Sequence, residues 1–357
     1  MNQALPTQAA ADDARAVQRA AFLAQHGHGA TPVLALPADA SARRYFRLDG
    51  AGLLLMDSPP ASEPLGPYLQ VAELLHWLGL SAPRVLAADA AAGLVLVEDF
   101  GHATYTRLLA AGHAEQPLYE LAVDCLVQLH RAPASHGASL PAYDTGRLAA
   151  EFGLFIDWYA PLLVGPERAA ALREDYLQLF GGLCAAVAER REAVVLRDFH
   201  VDNLMLLEGR EGVAACGLLD FQDALQGAAA YDLMSLLEDA RRDVPTALRA
   251  RLLQRYLAQR PQLDAARFMA DYAVLAAQRH AKVLGIFVRL AQRDGKLGYL
   301  DHLPRTLGLF SQALDHPALQ PLRDFLDQQL APWRDALPAS AIAALRAGTL
   351  RLPKETP

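Results

Sequence analysis

Lysine is scarce in this sequence: of 33 basic residues only Lys282, Lys296 and Lys354 are lysines, so everything before residue 282 takes its positive charge from arginine. Cysteine is equally scarce. Cys125, Cys184 and Cys216 are far apart, odd in number and form no CxxC pair, which excludes a disulfide framework and a thiolate zinc site. Buried thiols in a reducing cytoplasm are the expectation. No apolar run approaches the roughly 18 uncharged residues that a membrane helix needs. The opening "MNQALPTQAAADDARA" has no basic segment followed by an apolar one, so no secretory signal is expected either. A basic surplus is also missing: the net charge of −7 argues against a nucleic-acid partner. There is no internal repeat, and no low-complexity segment beyond richness in alanine.

What is present is length and apolar content. With 357 residues, 53% of them hydrophobic, the chain exceeds one compact core, and two lobes are expected. The first hundred residues mix strands and helices. In "RRYFRL" (43–48), Arg43, Tyr45 and Arg47 alternate with Arg44, Phe46 and Leu48. "DGAG" then turns into "LLLM", predicting a hairpin over 43–57. A helix runs through "YLQVAELLHWLG", and "RVLAADAAAGLVLVEDFG" reads as a second strand–turn–strand. After Gly101 the pattern is mainly helical. Leu172, Tyr176, Leu179, Phe180, Leu183 and Val187, for example, fall on one helical face. Only residues 193–220 interrupt the helices, with the short apolar runs "AVVL", "LMLL" and "AACGLL".

The stretch "LRDFHVDNLMLLEG" (196–209) crowds Asp198, His200, Asp202 and Asn203 into a loop between such runs. Three chemistries compete for it. A zinc hydrolase would need three or four ligands, usually histidines, and His200 stands alone here. A polar turn whose side chains cap their own backbone is the bland alternative. The third is phosphoryl transfer. Asn203 lies five residues after Asp198, and Asp220 follows across a short hairpin that folds back toward Asn203. An amide oxygen and a carboxylate suit Mg²⁺, and a base, an asparagine and a metal-binding aspartate in that order are the working parts of a kinase site.

Arg197-Asp198, four residues, Asn203 and then Asp220-Phe221 match the protein-kinase pattern RDxxxxN followed by DFG. With His200 inserted, "RDFHVDNLM…GLLDFQDALQGAAAYDL" resembles the aminoglycoside phosphotransferase/choline-kinase family over most of the chain. The resemblance implies an α+β, two-lobed protein-kinase-like fold, with a small antiparallel-sheet N-lobe (1–100) and a larger, mainly helical C-lobe (101–357). The C-lobe would carry the catalytic loop 196–203, the metal-site segment 220–223 and the substrate pocket. It further implies Asp198 as catalytic base, Asn203 and Asp220 as Mg²⁺ ligands, and ATP as phosphoryl donor. "VLVEDFG" falls where the hinge lies, placing Glu98 and Phe100 beside the adenine. Asp232 would hold the catalytic loop from a helix start.

Three departures stand out. Leu196-Arg197 replaces the family's His-Gly, no GxGxxG is present, and the strand lysine that holds the α/β-phosphates is missing. Either this is a nucleotide-binding pseudokinase, or Arg43 or Arg44, with backbone N–H groups of the Ser41–Arg43 loop, replaces the lysine. The intact Asp198, Asn203 and Asp220 favour the second reading. Glu73, on the small-lobe helix, is the lysine's usual partner, and a solvated helix face is the simpler reading for it.

"SARRYFR", "LLLMDSPP", "LVEDFG", "LRDFHVDNLM" and "RHAKVLGIFVRLAQRDGK" together resemble the anomeric sugar kinases of bacterial cell-wall recycling, which phosphorylate N-acetylmuramate and N-acetylglucosamine at C1. Residues 241–330 hold 14 Lys+Arg against 8 Asp+Glu, net +6, leaving −13 on the remainder. A basic C-terminal region suits a neutral or carboxylate-bearing sugar better than a polycationic aminoglycoside. Arg241 and Arg279 are candidate substrate residues, as are Lys282 and Arg289, with His200 bordering the base and Asp157 and Trp158 lining the sugar. Another small hydroxyl acceptor, aminoglycoside or choline-like, is the alternative. The partners expected are an amino sugar and a nucleotide, with no nucleic acid, membrane or obligate protein partner.

Overall fold

A computed structural model of the chain describes residues 8–37, 42–137, 139–335 and 337–349. In chain order the elements are α1 (Gln8–Gln25), β1 (Val33–Ala35), β2 (Arg44–Leu48), β3 (Leu53–Asp57), α2 (Gly66–Trp77), β4 (Val85–Asp89), β5 (Leu94–Glu98), α3 (Tyr105–Ala110) and α4 (Glu115–Arg131). Next come α5 (Thr145–Leu154), a π-helical turn (Phe155–Tyr159), α6 (Pro161–Val164), α7 (Pro166–Ala188), β6 (Ala193–Val195), β7 (Leu204–Leu206), β8 (Cys216–Leu218) and β9 (Leu225–Gly227). The chain closes with α8 (Ala230–Leu237), α9 (Thr246–Ala258), α10 (Ala265–Asp294), α11 (Leu303–Ala313), α12 (Gln320–Gln329) and α13 (Ala339–Arg346). Among the described residues no helix is long and apolar enough to cross a membrane. The chain divides into two compact units, Met1–Leu121 with Val201–Asp223, and Ala122–His200 with Ala224–Pro357.

The first unit is built on a five-stranded antiparallel sheet of order β1-β2-β3-β5-β4. The predicted hairpin over 43–57 is β2–β3, with Phe46 opposite Leu55 and Arg44 opposite Asp57. Strand alternation turns Phe46, Leu48, Leu53, Leu55, Leu94 and Leu96 to one face, where Phe22 and Leu23 of α1 complete a small core. Asp57 continues that face and is almost fully buried, so it needs countercharge. Arg15 and Arg19 of α1 supply it, Arg19 Nη1 at 2.7 Å, while Arg15 Nη1 also donates to the Ala92 carbonyl at 2.6 Å. The carboxylate at the end of this strand thus fastens a helix. The β7–β8 hairpin belongs to the same unit through bridges from Ser81 to Gly217 and Thr104 to Met205.

The second unit is helical around α10, which packs against α5, the π-turn, α8 and α11. Asp264 caps its start by accepting from Arg267 N at 3.1 Å, and Gly295 ends it in the left-handed conformation at φ 67°. Gly285 allows a close crossing: a Cβ there would sit 2.2 Å from the Leu154 carbonyl oxygen. Along α10, Asp271, Gln278, Arg279, His280 and Lys282 are buried among apolar residues. Polar groups on a central helix require partners: Asp271 pairs with Arg190 and His280 with Glu238, while Gln278 and Lys282 meet Glu151 and Arg279 meets the Arg197 carbonyl.

Candidate active site

The catalytic loop begins where β6, paired with β9, runs out at Leu196. Asp232, in the first turn of α8, accepts from Leu196 N at 2.6 Å and Arg197 N at 2.9 Å, which sets the loop's direction. Arg197 takes φ +71°, a left-handed conformation that costs a non-glycine residue about 1–3 kcal/mol. Its side chain offsets the strain by binding Glu151 Oε1 at 2.5 Å. From α10, Arg279 Nη1 donates to the Arg197 carbonyl and the Tyr231 hydroxyl, both at 3.1 Å, and Nη2 lies 3.8 Å from Asp198 Oδ1. Asp198 is therefore framed by a fixed backbone and a fixed guanidinium, with 37% of its side chain still open to solvent.

Glu151 of α5 is the hub behind this loop. It receives Lys282 Nζ at 2.9 Å, Gln278 Nε2 at 2.8 Å and the Tyr143 hydroxyl as well as Arg197. Burial alone would raise its carboxyl, but Lys282, Arg197 and the Tyr143 hydrogen bond prevail and hold it at about 2. Burial likewise works against ionised Asp198, and Lys282, Arg279, His200 and Arg197 together push it below the usual carboxylate range. An ionised, partly accessible carboxylate is the state required of a proton acceptor. His200 is buried, and burial lowers its basicity despite the nearby Asp239 and Asp198, so its ring is neutral at pH 7. Burial also pushes the Asp232 carboxyl up, to about 7, against its two N–H donors.

In the first unit, the β7–β8 hairpin sets Leu204 opposite Leu218, and Leu219 N donates to the Asn203 carbonyl at 3.0 Å. Asn203 thus stands one residue from Asp220 across the hairpin. Asp220 takes φ +54°, which turns its carboxylate out to 49% exposure. It is steadied by Gln222 Nε2 at 2.8 Å. The following Phe221 is buried and stacks on Tyr68 at 5.0 Å. Arg43, immediately before β2, brings Nη1 to 3.8 Å from Asp220 Oδ1 while its Nε is paired with Glu63. The Glu63 carboxylate also accepts from Ala42 N at 2.7 Å. An exposed carboxylate and an amide side chain across a two-strand hairpin fit a hard cation that keeps most of its water. Among the described residues no group of three or more His, Cys, Asp or Glu side chains could hold a metal, so the donor set is not that of a zinc site.

The other expected residues fall as follows. Ser41 lies outside the described residues. Arg44 is exposed at the end of β2, apart from the Glu63–Arg43–Asp220 line. Glu98 is bonded to Arg210 and Arg84, and Phe100 lies under the Arg210 guanidinium at 5.2 Å, so both strap the end of β5 to the β7–β8 hairpin. Asp157 is paired with Arg173 at 2.7 Å and Trp158 is 6% exposed, which makes Trp158 a core residue rather than an open platform for a sugar ring. Arg241 lies 5.9 Å over the rings of both Phe287 and Tyr299 and is one of the charges acting on His200.

A model of the phosphotransferase enzyme family matches residues 32–277. The N-acetylmuramate/N-acetylglucosamine kinase of Caulobacter vibrioides is 38% identical over 354 residues, covering 88% of this chain and 96% of that protein. The chain belongs to this phosphotransferase family, among its N-acetylmuramate/N-acetylglucosamine kinases. The kinase of the same name from Pseudomonas aeruginosa is 36% identical over 296 residues, covering 80% of this chain and 85% of that one. Solved structures with this fold include the ADP-bound aminoglycoside phosphotransferase APH(2'')-Ib (TM-score 0.55, 14% identity, 83% of this chain and 98% of that one). The choline kinase LicA from Streptococcus pneumoniae is similar too (TM-score 0.58, 12% identity, 83% and 99%). The fold is accordingly the two-lobed α+β architecture of protein-kinase-like enzymes.

Within the family, two departures now have physical explanations. Where relatives in the wider branch read His-Gly, glycine supplies the left-handed residue at no steric cost. Here Arg197 takes that conformation and is tied down by Glu151 and Asp232. The missing lysine's expected partner, Glu73, is exposed on α2, while the acid paired with Arg43 is Glu63. Glu63 and Glu151 carry no motif in the sequence, and nothing there singled them out. Lys282 did carry a signal, being one of three lysines, but its burial beside Glu151 gives it a different task from binding a substrate carboxylate.

Proposed function

We propose that the protein transfers the γ-phosphoryl group of ATP to the anomeric hydroxyl of N-acetylmuramate and N-acetylglucosamine, in the cytoplasm, during peptidoglycan recycling. The observation that carries this reading is the end-to-end likeness to kinases of that name combined with an ionised, partly accessible Asp198. Asp198 accepts the proton of the C1 hydroxyl as its oxygen forms the new bond to phosphorus. The bond from phosphorus to the β,γ-bridging oxygen breaks, and ADP departs with that electron pair. Arg279, bound to the Arg197 carbonyl, keeps Asp198 ionised and aimed.

Asn203 and Asp220 are the residues that would hold Mg²⁺, whose chemistry is to neutralise charge on the nucleotide phosphates. Arg43, oriented by Glu63 and facing Asp220, takes the part of the absent lysine by presenting paired donors to phosphate. Glu98 and Phe100 mark the segment beside the adenine. Buried free thiols at Cys125, Cys184 and Cys216 suit a reducing compartment.

Phosphorus NMR of the purified protein with Mg·ATP tests this, offering N-acetylmuramate, N-acetylglucosamine, glucose, choline and kanamycin in parallel. A sugar 1-phosphate resonance from the two N-acetyl sugars, absent with Asp198→Asn, is the expected result. Transfer to choline or kanamycin alone would overturn the substrate assignment, and nucleotide binding without any transfer would overturn the reaction.

A further inference from the structure

Of the two residues proposed to hold Mg²⁺, Asp220 is steadied by Gln222 and faced by Arg43. Asn203 depends on a segment that carries no motif. It stands between a turn at Val201–Asp202 and the first residue of β7. The strand side is fixed by the hairpin, where Leu204 pairs with Leu218 and Leu219 N donates to the Asn203 carbonyl at 3.0 Å. The turn side needs a different anchor, and Thr106, in the first turn of α3, supplies it at two points. Its backbone N–H donates to the Val201 carbonyl at 3.3 Å, and its hydroxyl donates to the Asp202 carboxylate.

Thr106 is itself held. Thr104 caps α3 by accepting from Arg107 N at 3.3 Å and bridges to Met205, while Leu206 N donates to the Ala103 carbonyl at 2.9 Å. Residues 103–106 thus run beside β7. Just upstream, Arg47 of β2 is paired with Asp99 and its Nη2 donates to the Gly101 carbonyl at 3.1 Å. A continuous strut therefore runs from the sheet to the turn before Asn203. Mg²⁺ demands near-octahedral geometry at about 2.0–2.1 Å, so a displaced amide ligand binds it poorly. Groups that orient a ligand without touching the metal are commonly worth about tenfold to a hundredfold in affinity.

We propose that Thr106 is a positioning residue of the metal site. Its hydroxyl holds the Asp202 side chain, and through it the turn that presents the Asn203 amide. The inference rests on the reading of Asn203 as a Mg²⁺ ligand, and it adds the residue outside the catalytic loop that sets the geometry of that ligand. The Thr106–Asp202 bond is exposed, so its loss acts on the turn and hardly on global stability.

Binding of Mn·ADP to the full chain, followed by water-proton relaxation, tests the assignment beside binding of metal-free ADP. Thr106→Val, which removes only the hydroxyl, should weaken Mn·ADP about tenfold and leave metal-free ADP and the urea midpoint unchanged. Thr106→Ser, which keeps the hydroxyl, should stay within about twofold of wild type. Asp202→Ala should match Thr106→Val, and the double variant should be no weaker than either. If Asn203→Ala weakens Mn·ADP but Thr106→Val does not, the positioning role is overturned while the metal site stands. Equal losses of Mn·ADP and metal-free ADP, or a lowered urea midpoint without rescue by Thr106→Ser, would also overturn it. If Asn203→Ala binds Mn·ADP like the wild type, the metal reading falls and this inference with it.

Discussion

Glu151→Gln is the substitution that most directly tests how the catalytic loop is held. The native carboxylate faces Lys282, Arg197, Gln278 and Tyr143 and is only 12% exposed, so little of its interaction is lost to solvent. Its pKa falls from an ordinary 4.5 to about 2, and at about 1.4 kcal/mol per unit that difference corresponds to about 3 kcal/mol of native-state stability. Breaking a buried pair by removing one partner costs about 3–5 kcal/mol, and glutamine retains some of the hydrogen bonding, so about 3 kcal/mol is expected on both counts. For a chain of this size that loss lowers Tm by about 4 °C. A depressed carboxyl stabilises above its unfolded pKa and loses that contribution as pH falls toward its folded one. Urea denaturation of wild type and variant should therefore differ by about 3 kcal/mol at pH 7, with the gap closing between pH 4.5 and pH 2. A gap below about 1 kcal/mol at pH 7, or one that stays constant to pH 3, would refute the hub. The variant should also lower kcat, because Lys282 and Arg197 would then act on Asp198 alone and weaken it as a base.

Arg43→Ala should raise KM for ATP by about tenfold to a hundredfold, and Arg43→Lys should recover part of the loss, since lysine keeps the charge without the paired donors. The same measurement on Arg44→Ala, whose side chain is exposed, should show little change. Asp220→Asn tolerates the left-handed backbone, so the protein should fold normally while the Mg²⁺ concentration for half-maximal rate rises, which a magnesium titration reads directly. Asp232→Ala deprives Leu196 N and Arg197 N of their acceptor and should destabilise the protein by about 1–3 kcal/mol in chemical denaturation while reducing kcat.

The parts of the fold that sequence made legible are those governed by local rules. The β2–β3 hairpin followed from period-two alternation across "DGAG". The inward face of α7 followed from helical spacing, with Leu172, Tyr176, Phe180 and Val187 buried as expected. The Asn203–Asp220 pairing was legible for the same reason, because a short hairpin must fold back on itself. Trp158 shows the limit. Aromatic chemistry marked it as a sugar platform, yet its burial is decided by packing around a π-turn that no local pattern announces. Glu151 and Glu63 were invisible for a different reason: each acquires meaning only from partners distant in the chain. Lys282 meets Glu151 across a separation of 131 residues, and no periodicity carries such information.

The discontinuity of the first unit bears on how the protein is made. Ribosomes deliver α1, the sheet and α3 early, but the β7–β8 hairpin that completes this unit arrives only with residues 201–223. At roughly 5–20 residues per second, the intervening hundred or so residues take about 5–20 s to emerge. During that interval Ser81 and Thr104 have no Gly217 or Met205 to pair with, and Glu98 and Phe100 lack Arg210. Once residue 121 has cleared the ribosome, the nascent chain holds a sheet with α1 docked through Asp57, yet with neither Asn203 nor Asp220. The nascent chain thus spends that interval with its first unit lacking the hairpin that completes it.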